Sequence, residues 1–78
     1  MSTERVQKKV GDIVNKADIA ARLIELRGDK KREEVASACN ISVSALAMYE
    51  QGNRVPKDDI KVKLASYYGK PIETIFYA

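Results

Sequence analysis

Few side chains in this sequence could do covalent or metal chemistry. It has no histidine and a single cysteine, Cys39, which removes Cys/His metal clusters, an intrachain disulfide and any histidine general base. Serine, lysine, aspartate and glutamate are present, but no catalytic spacing joins them, so an enzyme is not expected and no cofactor is implied. What the chain carries in quantity is charge. Fourteen Lys and Arg stand against eleven Asp and Glu, a net charge of +3, and the pI is near 9.1. That is a mild bias toward anionic partners. Tyr49, Tyr67, Tyr68 and Tyr77 could stack on the bases of a single strand, but the first three fall at helical spacing and read as packing residues. Cys39 reads the same way, because its position points inward and buried thiols are inert.

The elements that position these groups follow from size and punctuation. Seventy-eight residues hold one small domain, and a chain of this length buries only about 60% of its unfolded surface, enough for one modest core. Glycine occurs at Gly11, Gly28, Gly52 and Gly69 and proline at Pro56 and Pro71, between apolar-periodic stretches. Ile19, Leu23 and Leu26 predict a first helix over Ala17–Arg27, stopped by Gly28. Val35, Ala36 and Cys39, with Glu33 and Glu34 in a dipole-favoured first turn, predict a second over Arg32–Cys39. Ser42 caps a third that runs to about Gln51, with Leu46 and Tyr49 inward. A fourth spans Lys57–Tyr68, with Ile60, Leu64 and Tyr67/Tyr68 on its face and Val62 and Ala65 widening it. A short closing helix starts at Pro71, with Ile72, Ile75 and Phe76 apolar. No stretch alternates with period two, so the fold class is all-α.

Residues 1–16 form an extension to the domain at 17–78. Val6, Val10, Ile13 and Val14 have the spacing of an extra amphipathic helix, which Gly11 weakens, and a frayed arm is the alternative. The start carries charge throughout, without the apolar core of a signal peptide, and no apolar run approaches ~20 residues. A cytoplasmic protein with no membrane partner is the expectation.

Only Asn40, Ile41 and Ser42 separate the second and third helices, the spacing of a helix-turn-helix. Ala36 is small where the helices must approach. Asn40 stands where the turn needs a left-handed backbone, which asparagine tolerates best after glycine. Ile41 is expected to enter the core.

With these residues in place, the chain resembles the lambda-repressor-like, XRE-type helix-turn-helix family over roughly residues 19–76. LRGDKKREEVA at Leu26–Ala36, NISVSALAMYEQGNRVP at Asn40–Pro56 and YYGKPIETIF at Tyr67–Phe76 carry the resemblance. It implies a compact five-helix domain whose third helix lies in the DNA major groove, usually as a dimer on a palindromic site. The resemblance puts the base-facing positions on Val43, Ser44 and Ala47, with Met48 flanking, and the outward side of the helical period agrees. It puts phosphate contacts on Gln51, Asn53 and Arg54 and at the start of the second helix. There Arg32 replaces the family's usual glutamine and Lys31 its serine or threonine, so either Asp29 caps that helix or its end is frayed. Lys30, Lys31, Arg32, Arg54 and Lys57 would supply most of the affinity through phosphates. The base-facing set lacks the Arg, Gln and Asn that make bidentate contacts, so hydrogen-bonded readout is expected to be sparse.

The function these residues imply is a sequence-specific, double-stranded DNA-binding transcriptional regulator, a repressor acting by occupancy as a homodimer. Ile72, Ile75, Phe76 and Tyr77 are the candidate dimer interface, with the amino-terminal helix as the alternative. The competing function is an antitoxin or anti-repressor type of module that grips a protein partner on the same scaffold.

Overall fold

A computed structural model describes residues 15–78. The proposed amino-terminal helix over Val6–Val14 and nearly all of the 1–16 extension lie outside the described residues. Five helices follow in order: α1 (Lys16–Arg27), α2 (Arg32–Ala38), α3 (Val43–Glu50), α4 (Asp58–Tyr68) and α5 (Ile72–Phe76). No strand occurs among the described residues.

The helix ends show why the chain divides this way. α1 begins one residue earlier than expected because Asn15 caps it: the amides of Ala17 and Asp18 donate to Asn15 Oδ1 at 2.9 and 3.3 Å. Gly28 closes it at φ 56°. α2 follows Lys31 at its cap position and has no side-chain cap from it or from Asp29. The amides of Glu34 and Val35 reach the Lys31 carbonyl at 3.1 and 3.3 Å. Ser42 caps α3 as expected, its Oγ accepting from Ala45 N–H at 2.9 Å. Pro71 sits one position before the first turn of α5, at φ −61° and ψ 140°.

The core gathers one stripe from each helix. Ile19 and Leu23 of α1, Val35 and Ala36 of α2, Leu46 and Tyr49 of α3, Leu64 and Ala65 of α4, and Ile75 and Phe76 of α5 are all buried, together with Cys39. α1 packs against both α3 and α5, α2 against α3, and α4 against α5. Gly52 lets the loop after α3 return to α1: its φ is +77°, and a Cβ there would lie 3.7 Å from the Lys16 carbonyl oxygen. Arg22 ties the far end down, donating to the carbonyls of Ile75 at 3.0 Å and Ala78 at 2.9 Å.

Three expectations need correction. Val62 is 58% exposed and does not widen the buried face of α4. It lies two residues from both Ile60 and Leu64, about 200° around the helix from each, so it points away from the stripe they share. Ile41 is half-buried against the core rather than enclosed by it. Ile75 and Phe76 are each 1% exposed and are spent in the chain's own core, because α5 folds back onto α1 and α4. They have no surface to offer a second subunit. Of the four interface candidates, Ile72 is half-buried and Tyr77 is exposed.

Candidate nucleic-acid interface

The turn between α2 and α3 sets the geometry of the site. Asn40 is the one non-glycine residue with positive φ among those described, at 57°. Around it the amide of Asn40 donates to the Ser37 carbonyl at 3.2 Å, and the amide of Ile41 donates to the Ala36 carbonyl at 2.9 Å. These two bonds satisfy carbonyls at the end of α2 that no longer have a helical partner. Ser42 then caps α3, which starts at Val43.

α3 has two unlike faces. Leu46, Tyr49 and Glu50 are buried, whereas Val43 and Ser44 are exposed at its start. Ala47 and Met48 follow one turn after Val43 and Ser44, half-buried and outside the core cluster. The four residues assigned to base contact therefore share one outer surface, as the helical period requires.

Glu50 is the site residue that sequence reasoning missed. Its side chain is fully enclosed, and its two oxygens take two different arginines: Arg27 Nε of α1 at 2.8 Å and Arg32 Nε of α2 at 2.9 Å. One carboxylate thus fastens three helices, and the hydrogen bond to Glu50 raises the pKa of Arg27 above its ordinary value. The signal was present in the sequence, because Glu50 follows Leu46 by four residues and lies on the same inward stripe.

This ion pair also places Arg32. Its Nε is committed to Glu50, its side chain is 36% exposed, and the two terminal nitrogens of the guanidinium remain for another acceptor. Arg27 is more enclosed, at 19%, and its Nη1 donates to the Lys30 carbonyl at 2.7 Å. Lys31 is exposed next to Arg32 at the start of α2. Gln51, Asn53 and Arg54 are exposed in the loop after α3, where Asn53 Nδ2 donates to Gln51 Oε1 at 3.2 Å. Lys57 is exposed at the start of α4, another helix end without a side-chain cap. Glu50 brings the start of α2 and the end of α3 together, so Arg32 and Gln51 lie on neighbouring parts of the surface. Lys57 sits three residues beyond Arg54 in the chain.

Two buried groups sit behind this surface. Tyr68 places its hydroxyl out of reach of solvent with no hydrogen-bond partner among the described residues. Burial, reinforced by the charge of Glu50, pushes its pKa up to about 12. Burial also raises the Cys39 thiol, with Lys63 opposing, which fits a packing residue better than a reactive one.

Comparison with known families gives one match: residues 20–75 fit the model described as helix-turn-helix. No curated protein and no solved structure matches the chain. The matched span runs from the second turn of α1 into α5 and includes the whole of the α2–turn–α3 unit.

Proposed function

The chain belongs to the lambda-repressor-like helix-turn-helix family, a family of DNA-binding regulators, and from that premise we propose that it binds double-stranded DNA sequence-specifically and represses transcription by occupancy. On this reading it acts as a homodimer with α3 in the major groove. The observation that carries it is the division of α3: Leu46, Tyr49 and Glu50 anchor one face to α1 and α2, leaving Val43, Ser44, Ala47 and Met48 toward a partner. A helix held that firmly on one side and bare on the other suits insertion into a groove.

Lys31, Arg32, Arg54 and Lys57 supply charge to the phosphates, and Gln51 and Asn53 supply neutral donors, fixing register without reading sequence. A two-fold dimer places two copies of α3 about one helical turn of DNA apart and doubles the number of bases read. The family is generally not enzymatic, and among the described residues no helix is long and apolar enough to cross a membrane. The site of action proposed is the cytoplasmic DNA.

Selection from a random duplex pool at about 0.15 M salt, followed by affinities across a salt series, tests this reading. An enriched palindrome is the expected result. Absence of enrichment, with binding that fades as salt rises, would replace it with the antitoxin or anti-repressor type of module that grips a protein partner.

A further inference from the structure

The outer face of α3 carries almost no polar chemistry. The helix reads Val-Ser-Ala-Leu-Ala-Met-Tyr-Glu, and its one charged residue, Glu50, is enclosed and bonded through both oxygens to arginines. No amide, guanidinium or ammonium group remains on the helix to meet a base edge. Ser42 turns its Oγ back to the Ala45 amide. Two amide side chains flank the helix: Asn40, exposed in the turn before it, and Gln51, which comes after the last turn, about 12 Å along the axis from Val43, and accepts from Asn53. At the start of the helix, where this class of motif reads bases, stands Val43, 40% exposed.

Bidentate discrimination of guanine or adenine needs paired donors and acceptors that this face lacks. What an isopropyl group and an alanine methyl can recognise in a major groove is the apolar group displayed there, the C5-methyl of a pyrimidine. Resting on the proposed insertion of α3 in the major groove, we propose that Val43 and Ala47 form a methyl-reading surface. Its ligand is duplex DNA in which half-site discrimination is carried by C5-methyl groups, on thymine or on 5-methylcytosine. Ser44 is the single hydrogen-bonding group beside them. Burial of a methyl against Val43 is directional in sequence terms, because a base lacking it leaves an unfilled gap rather than an unpaired charge. Discrimination per position is therefore modest, and several positions must combine to define a site.

The test uses the full chain and the duplex recovered by selection. Deoxyuridine replaces each half-site thymine in turn, which removes one methyl and keeps every hydrogen-bonding group. At one or two positions per half-site the affinity is expected to fall about fourfold, the worth of one buried methyl-sized group. The Val43→Ala protein should show a smaller loss at the same position, while Ser44→Ala should not change the ratio. Val43 is exposed, so the fold does not depend on it. In a second arm, 5-methylcytosine replaces cytosine in the same half-site. A gain there of similar size assigns the surface to methylated cytosine, and a loss with deoxyuridine alone assigns it to thymine. Selective binding that ignores both substitutions at every position overturns the methyl-reading surface and leaves DNA recognition intact. Failure to select any sequence overturns the DNA-reading function itself, and the two failures are distinguishable in one series.

Discussion

Glu50 shows how far one side chain can reach. It is enclosed on α3 and partnered by Arg27 and Arg32, which are 19% and 36% exposed, so water screens the pairs and their worth lies between a surface bridge and a buried one. Glu50→Gln keeps the shape and removes the charge, and a loss of about 1–3 kcal/mol in urea unfolding is expected. A change within ~0.5 kcal/mol would mean that solvent already satisfies the arginines. Tyr68 makes a prediction in pH. Its folded pKa of about 12 lies above the ordinary value of 10.0, so the native state holds the proton longer than the unfolded chain. The stabilisation is complete below pH 10 and is lost as pH rises from there through about 12. Tyr68→Phe is expected to flatten that alkaline limb, with Cys39 leaving a residual slope of the same sign. Because the hydroxyl lacks a partner among the described residues, the variant should also be about 1 kcal/mol more stable near neutrality. An alkaline limb identical to that of the parent protein would assign the titration to other groups.

At the scale of elements, the turn between α2 and α3 is held by backbone conformation more than by contacts. Asn40 at φ 57° is tolerated there, and a methyl side chain is not equally tolerated. Asn40→Ala should cost about 1 kcal/mol, whereas Asn40→Gly should fall within ~0.5 kcal/mol of the parent, both read from thermal or urea unfolding. Equal losses for the two would show that the asparagine amide matters and the backbone does not. This turn was legible in the sequence, as were the five helices and the Ser42 cap, because each rests on a local rule of period or capping. Other features depend on what covers a surface, which period does not encode. Ile72, Ile75 and Phe76 form one apolar stripe whether the chain itself or a second copy buries it, and α5 buries most of it internally. Val62 looked inward by composition and lies outward by angle. The uncapped start of α2 departs from local rules too, and the Arg32–Glu50 pair holds that end from a distance the sequence pattern does not show.

For the whole molecule, the burial of Ile75 and Phe76 changes the kind of dimer to expect. Among the described residues of α4 and α5 and the segment after them, the large apolar side chains left exposed are Tyr77, at 43%, and Val62 on α4, and Ile72 is half-buried. Tyr77 is held in place from below: Lys61, 6% exposed, donates to its hydroxyl at 2.8 Å and sits 4.5 Å from the centre of its ring. The companion bridge from Lys61 to Asp58 is long, at 3.7 Å, and Asp58 is 95% exposed, so the tyrosine is the better partner. A stable protein interface buries roughly 800 Å² on each partner, and an aromatic side chain supplies at most ~250 Å². One tyrosine with two aliphatic neighbours falls short of that. With this end as the interface of the dimer proposed above, the subunits should therefore pair on DNA and not before it. Sedimentation at micromolar concentration is expected to show a monomer, while titration of a two-half-site duplex shows cooperative binding that a single half-site lacks. Tyr77→Ala should remove the cooperativity and leave the affinity for one half-site unchanged, because Tyr77 lies on α5's end of the molecule and outside the α3 surface. A stable dimer in free solution that survives Tyr77→Ala would place the interface elsewhere, since the exposed apolar area at this end is too small to hold two copies together without the DNA between them.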